Sequence, residues 1–278
     1  MNDNKNTYNI FYKKNVDNFL FFLYVHKMKL FVQTRVTLVR VTLVCYTLHM
    51  ATRNITISAD EYYHIYNRGV EKRIIFLDTQ DKNYFIQALY AALSDFPMQP
   101  CRLSETDIFS HTIEQKLVSI GAYTLMPNHF HILVRVKDPK DLSLFMNRLQ
   151  TSYAMYFNKK YERSGRLFEG TYKAKHIADD TYLQYLFAYI HLNPIKIIDK
   201  TWKEKGLKDI TKAQAFLNKY QFSSYLDYVT VKRPETRILD KTAFPAYFKK
   251  KYNMKEYVTW WLEYRKSDYD PLRLISQK

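Results

Sequence analysis

Met126-Pro127-Asn128-His129-Phe130-His131-Ile132-Leu133-Val134 is the stretch on which the reading of this chain turns. Side chains alternate faces along a strand, so His129 and His131 point one way while Phe130 and Ile132 point the other, into a core. Two imidazoles projecting from one face of a rigid strand supply two-thirds of a metal site. By itself the pattern is equally compatible with two solvated histidines on an open sheet face. A second stretch, Tyr189-Ile190-His191-Leu192-Asn193-Pro194, shifts that balance.

The flanking sequence gives the strand its neighbours. Tyr62 to Gly69 reads as a first strand ending in a turn. Asp78-Thr79-Gln80-Asp81 caps a helix continued by Tyr84, Phe85, Ala88, Leu89 and Leu93. A loop with Pro97 and Pro100 occupies 95–115, Leu117–Thr124 is a second strand, and Pro127-Asn128 turns the chain into the third, His129–Val136. Pro139 opens a long helix through Phe157. Ser164-Gly165 and Gly170 mark turns around a fourth strand near Leu167-Phe168, and Lys173–Ile177 is extended. The order strand, helix, two strands, helix, strand is that of an α+β, ferredoxin-like split βαβ sheet with helices on one face. A helical, basic C-terminal tail follows, with helices near 243–251 and 254–265 and with Trp260 and Trp261 as core or interface anchors.

Asp179-Asp180-Thr181 caps the helix that carries the second stretch. Residues three and four apart are neighbours on a helix, so 182, 185 or 186, 189 and 193 share one stripe. Leu183, Phe187 and Ile190 form an apolar face for packing on the sheet. If the helix docks beside the third strand, Asn193 can offer its carbonyl oxygen beside His129 and His131. Tyr189 then stands one turn away, within reach of a phosphate held there. Tyr185 begins roughly 12 Å along the axis from Asn193, against about 6 Å for Tyr189. His191 lies about 200° round the helix from Tyr189 and reads as packing or surface. Pro194 disfavours helical geometry at Asn193, so a distorted last turn is expected. Without the histidines, Tyr189 is one more buried tyrosine among 25.

A formal net charge of +16 favours an anionic partner, nucleic acid or an anionic membrane surface. Basic residues mixed with 25 Tyr and 18 Phe suit single-stranded nucleic acid, where cations meet phosphates and rings stack on bases. Lys159, Lys160, Arg163, Arg166, Lys173 and Lys175 cluster before the Tyr189 helix and read as a phosphate-contacting strip; a solvated charged face is the alternative. Asn67 and Arg68, with Tyr66, are candidates to read or stack a base. Only Cys45 and Cys101 are present, without metal spacing, which fits a reducing, cytoplasmic setting.

Residues 1–49 differ from the rest. Their apolar runs are interrupted by Lys27, Lys29, Arg35 and Arg40, too short to span a membrane, and they match a secretory signal poorly. Arg35-Val36-Thr37-Leu38-Val39 is repeated at once as Arg40-Val41-Thr42-Leu43-Val44. Met50-Ala51-Thr52-Arg53 reads like a natural start, so 1–49 is either an upstream extension with a mis-assigned start or a β-rich arm. The expected organisation is this extension, a catalytic domain over 50–205, and a helical accessory region over 206–278.

The motifs together resemble the single-tyrosine HUH-endonuclease transposases, especially the REP-associated tyrosine transposases. The matching residues are Tyr66-Asn67-Arg68-Gly69, Met126 to His131, Gly165-Arg166-Leu167-Phe168, Tyr189 to Pro194, and Tyr220 with Ser223-Ser224-Tyr225. They span roughly 57–230. The resemblance implies a ferredoxin-like fold, His129, His131 and Asn193 as metal ligands, and Tyr189 as nucleophile. It also implies a single-stranded or hairpin DNA partner and a monomer or homodimer. Two departures stand out: Glu169-Gly170-Thr171 where a Gln and an Arg are expected, and Phe222 where Trp is common. The first removes a positive charge.

The implied reaction is transesterification through a 5′-phosphotyrosine. A phenol with a pKa of about 10 is a weak nucleophile at neutral pH, which calls for a polarising cation. Two imidazoles and an amide oxygen suit a divalent metal, Mg or Mn, with the nitrogens tilting toward Mn²⁺. The competing class is a domesticated DNA-binding protein that has lost cleavage; such a protein is free to lose any of the four site residues, and all four are present. A zinc hydrolase needs a further His or carboxylate that no spacing supplies. Deleting 1–49 is expected to leave folding and DNA cleavage intact; loss of soluble expression of 50–278 counts against that.

Overall fold

The computed structural model describes residues 56–94, 108–229, 232–250 and 253–263. The extension 1–49, most of the Pro97 and Pro100 loop, and the last residues of the expected terminal helices lie outside them. Strands β1 (Tyr62–Arg68), β2 (Val118–Met126), β3 (His129–Val136) and β4 (Lys173–Ile177) form one sheet in the order β2-β3-β1-β4. Every pairing is antiparallel. Helix α1 (Thr79–Ala92) joins β1 to β2, and α2 (Pro139–Lys160) joins β3 to β4. This is the expected ferredoxin-like α+β arrangement.

The cap residues act as the sequence suggests. Asp78 and Asp81 form a reciprocal capping box, and Asp138 accepts from the Lys140 N–H with Pro139 in the first turn. Asp81 goes further than a cap. Fully buried, it accepts from Lys160 Nζ at 2.8 Å, Tyr161 Oη at 2.8 Å and the Leu77 N–H at 2.8 Å. It thus ties the start of α1 to the end of α2.

Alternation along the strands makes two cores. Tyr63, Ile65, Tyr123, Leu125, Phe130, Ile132 and Val134 face α1 and α2. Ala122, Leu133 and Ile177 face the other way, against α3 (Asp180–Leu192), through Leu183, Leu186, Phe187 and Ile190. The two crossover helices therefore share one face, and the Tyr189 helix covers the other. At the β2 bulge, Gly121 lies under the Phe244 ring; a Cβ there would meet it at 2.8 Å, so a side chain would displace this contact.

Two expectations are corrected. The fourth strand is Lys173–Ile177, not the Leu167-Phe168 region, where Phe168 makes only an isolated bridge to Gly69. Gly170, at φ +118°, turns the chain after that bridge, and only the segment beyond it runs along β1. Asn193 keeps helical geometry (φ −53°, ψ −39°) and passes into a 3-10 turn over Asn193–Ile197. The Asn193 N–H still reaches the Tyr189 carbonyl, and the change falls at Pro194, which lacks an N–H and opens the 3-10 turn.

The C-terminal segments close the α3 side. Leu125 N–H donates to Phe222 O and Ser224 N–H to Tyr123 O, so 222–224 covers the outer edge of β2. Helices α4 (Trp202–Lys205), α5 (Ile210–Leu217), α6 (Tyr225–Val229), α7 (Tyr247–Lys250) and α8 (Met254–Glu263) follow in order. Leu217, Tyr225, Met254 and Val258 enter the same core as α3. Trp261 packs against Tyr185, whereas Trp260 is exposed. His191 is fully buried and bonded to Ser224 Oγ at 2.7 Å, which pins α3 to this edge segment.

Burial pushes the His191 imidazole down to about 3, with Arg233 and Lys241 adding to the effect. Between that value and the ordinary 6.5 the unfolded chain binds the extra proton, so stability falls as pH drops through 6.5. The loss approaches about 1.4 kcal/mol per pH unit. Urea unfolding at pH 7 and pH 5 is expected to show a stability drop about 2 kcal/mol smaller in His191→Gln than in the parent.

Candidate active site

Strand β3 delivers His129 and His131 to the α3 face, as alternation requires. His129 donates from Nδ1 to Asn128 Oδ1 at 2.7 Å, and His131 Nδ1 shares a 2.8 Å hydrogen bond with His64 Nε2. Both Nδ1 atoms are engaged, so the Nε2 atoms are the ones available for a ligand. On α3, Asn193 is buried and spends its Nδ2 on the Tyr189 carbonyl, leaving Oδ1 as its donor atom. The half-buried Tyr189 ring meets His131 edge-on at 5.7 Å and His64 at 5.9 Å. Lys203 Nζ stands 4.1 Å from the centre of the same ring. Tyr185 instead packs on Trp261, its ring 6.1 Å from that of Tyr189.

The electrostatics suit ligation. Burial holds His129 down at about 4, with Lys196 and Arg68 adding, and holds His64 at about 3, with Lys175 adding. His131 lies well below the ordinary range, chiefly from burial and then from the neighbouring histidines and lysines. All three are neutral at pH 7, and His129 and His131 keep their Nε2 lone pairs for a cation. Burial raises the Tyr189 phenol above its ordinary value, opposed by a hydrogen bond from Asn193. The phenol therefore needs help to react as a nucleophile. Among the described residues no three His, Cys, Asp or Glu side chains gather as a metal site; the donor set is two imidazoles and one amide. That set fits a borderline divalent cation whose charge an anionic substrate would balance.

The basic strip divides. Lys173 and Lys175 pair across β1 with Tyr66 and His64, so they share the histidine face. Lys160 is held by Asp78 and Asp81 on the α1/α2 side. Arg163 donates to Asn158 and lies over the Phe157 ring. Lys159 and Arg166 are exposed on the same connection. The run was contiguous in sequence, but the turns before β4 carry it around the sheet. Asn67 is buried, donating to Gly170 O at 3.0 Å and accepting from the Arg68 N–H, so it shapes the strand end. Arg68 is gripped at two points by Glu169. Both line a cleft of about 300 Å³ that also includes Tyr66, Lys72, His129 and Lys173.

Sequence reading missed His64 and Lys203. A signal for His64 existed: it has the opposite parity to Tyr63 and Ile65 on β1 and so lies on the histidine face. Its closeness to His131 required the β1–β3 register. Lys203 had no local signal, since it reaches Tyr189 from a separate short helix.

Comparison with known proteins bears on this arrangement. Residues 98–193 match the model of a family described as "Transposase IS200 like". That segment contains His129, His131, Tyr189 and Asn193, and the resemblance drawn from the motifs is borne out within it. Among solved structures, that of a REP-associated tyrosine transposase bound to a REP hairpin aligns with a TM-score of 0.44 at 14% identity. The alignment covers 65% of this chain and 86% of the other. No curated protein matches the chain. Among the described residues no helix is long and apolar enough to cross a membrane.

Glu169 neutralises Arg68 at the cleft; if this cleft contacts a DNA backbone, Glu169→Gln is expected to tighten that binding severalfold at low salt. The slope of log K against log salt should steepen by about one. Filter binding across a salt series measures this; unchanged affinity and slope would remove Arg68 from the DNA-contacting set.

Proposed function

We propose that this chain is a metal-dependent single-stranded DNA endonuclease and transposase that cuts and rejoins DNA through Tyr189. The observation that carries the reading is the Tyr189 ring, 5.7 Å from His131, with Asn193 one turn further along the same helix. His129, His131 and Asn193 would hold a divalent cation, Mg or Mn; bound there, it supplies Lewis-acid polarisation of a phosphate oxygen.

The chain's own residues account for the rest. Tyr189 Oη attacks phosphorus, a tyrosyl O–P bond forms and the P–O3′ bond breaks. The proton leaving the phenol ends on the departing 3′-oxygen through solvent. The product is a 5′-phosphotyrosine and a free 3′-hydroxyl, which preserves the phosphoester for attack by another 3′-hydroxyl. A rigid helix holds Tyr189 so that little orientational freedom is lost at reaction. Lys203, Lys196 and Lys175 supply the positive field that an incoming phosphate meets. Single-stranded or hairpin DNA is favoured over plain duplex, because rings such as Tyr66 can stack only on unpaired bases. Lys173 and Lys175 are the members of the predicted strip best placed to contact its phosphates. A cytoplasmic location and action as a monomer or homodimer accompany this reading.

Incubation with hairpin DNA carrying a single-stranded flank, followed by denaturing electrophoresis, tests it. The parent is expected to form a covalent adduct whose peptide maps to Tyr189. Tyr189→Phe should lose the adduct by more than a hundredfold with folding and binding preserved, and Tyr185→Phe should retain it. His129→Ala or His131→Ala should abolish cleavage while sparing binding, since affinity comes mainly from Lys and Arg contacts. An adduct mapped elsewhere, or cleavage that persists in EDTA, overturns the assignment. DNA binding with no adduct from the parent would favour the non-cleaving alternative.

A further inference from the structure

His64 has no part in the reaction as written, yet it is a buried polar group in direct contact with His131. It lies on the histidine face of β1, 6% exposed, and its Nε2 is 2.8 Å from His131 Nδ1. The two rings stack with centroids 4.9 Å apart and planes 28° from parallel. The Tyr189 ring borders both. Burying a second imidazole here costs desolvation that an aliphatic side chain would avoid, and only its hydrogen bond offsets that cost.

A neutral imidazole that ligates through Nε2 must carry its proton on Nδ1. It keeps that tautomer when Nδ1–H has a fixed acceptor. His129 has one, Asn128 Oδ1, supplied by its own turn. Among the described residues the group at the His131 Nδ1 is His64 Nε2, not a backbone or carboxylate oxygen. We propose that His64 is a positioning residue: it accepts the His131 Nδ1 proton in a hydrogen bond and so keeps the His131 Nε2 lone pair available to a divalent cation. The proton stays on His131, and His64 carries its own on Nδ1. In the opposite arrangement, with His64 Nε2 donating, His131 would hold its proton on Nε2 and could not ligate. His64 is not itself a ligand in this scheme, because its Nε2 is spent on His131. The proposal rests on His129, His131 and Asn193 being the cation ligands.

The test titrates Mn²⁺ into the full chain by calorimetry, without DNA, so that it reads ligation and not turnover. His64→Gln keeps an oxygen near the position of Nε2, whereas His64→Leu fills the space without an acceptor. His64→Leu is expected to weaken Mn²⁺ binding 10- to 100-fold, and His64→Gln to restore it to within a few fold. Imidazole ¹⁵N spectra of the metal-free protein should show His131 protonated on Nδ1 in the parent and in His64→Gln, and a tautomer mixture in His64→Leu. Should His64→Leu fail to fold, His64→Asn, too short to reach His131, takes its place with the same expected weakening. His129→Ala separates the two levels. If His129→Ala loses Mn²⁺ binding but the His64 variants bind as tightly as the parent, the role of His64 is overturned and the metal site stands. If His129→Ala binds Mn²⁺ like the parent, the metal-site reading falls and this inference falls with it.

Discussion

Everything at the site depends on the two-residue alternation of β3. Phe130 and Ile132 are fully buried against α1 and α2, and their burial is worth about 1.5–3 kcal/mol each. Because they are committed to that core, His129 and His131 have only the opposite face to occupy. A slip of one residue would exchange the two pairs, placing imidazoles in an apolar core and Phe130 and Ile132 against α3. As an inner strand paired on both sides, β3 has its register held by β1 and β2 together. The same register brings His64 and Lys175 onto the histidine face. The chemistry is thus anchored by apolar side chains that never touch it.

Around that frame the charges nearest the histidines are positive. Lys196, Lys203 and Lys175 all bear on the buried histidines, and none of the three imidazoles is charged at neutral pH. Burial also holds the Tyr189 phenol in its protonated form. These cations stand beside a phenol whose ionisation burial disfavours. At the cleft, by contrast, Glu169 pairs with Arg68 at two points, while Lys72 and Lys173 line the same cleft.

The fold was largely legible in the sequence because its signals are local. Asp78 and Asp179 cap their helices as cap chemistry requires, and Pro127-Asn128 makes the turn that alternation on either side demands. The site was legible where one element carried it: the His129/His131 pair on a strand, Tyr189 and Asn193 on a helix. It was not legible where partners come from different elements. Glu169 was seen as a missing positive charge, but its grip on Arg68 appears only once Gly170 has turned the chain back along β1. Lys160 looked like a phosphate ligand in a basic run, whereas the distant Asp81 had already claimed it. The fourth strand was displaced for the same reason, since Leu167 and Phe168 are apolar enough for a strand but lie before the turn.

Tyr189 and the two histidines meet within one polypeptide, through a helix laid across its own sheet. Under the proposed function, a chain defective in the tyrosine and a chain defective in the histidines would therefore have nothing to lend each other, and mixing two such proteins would restore no cleavage. Each copy would bring a whole site or none.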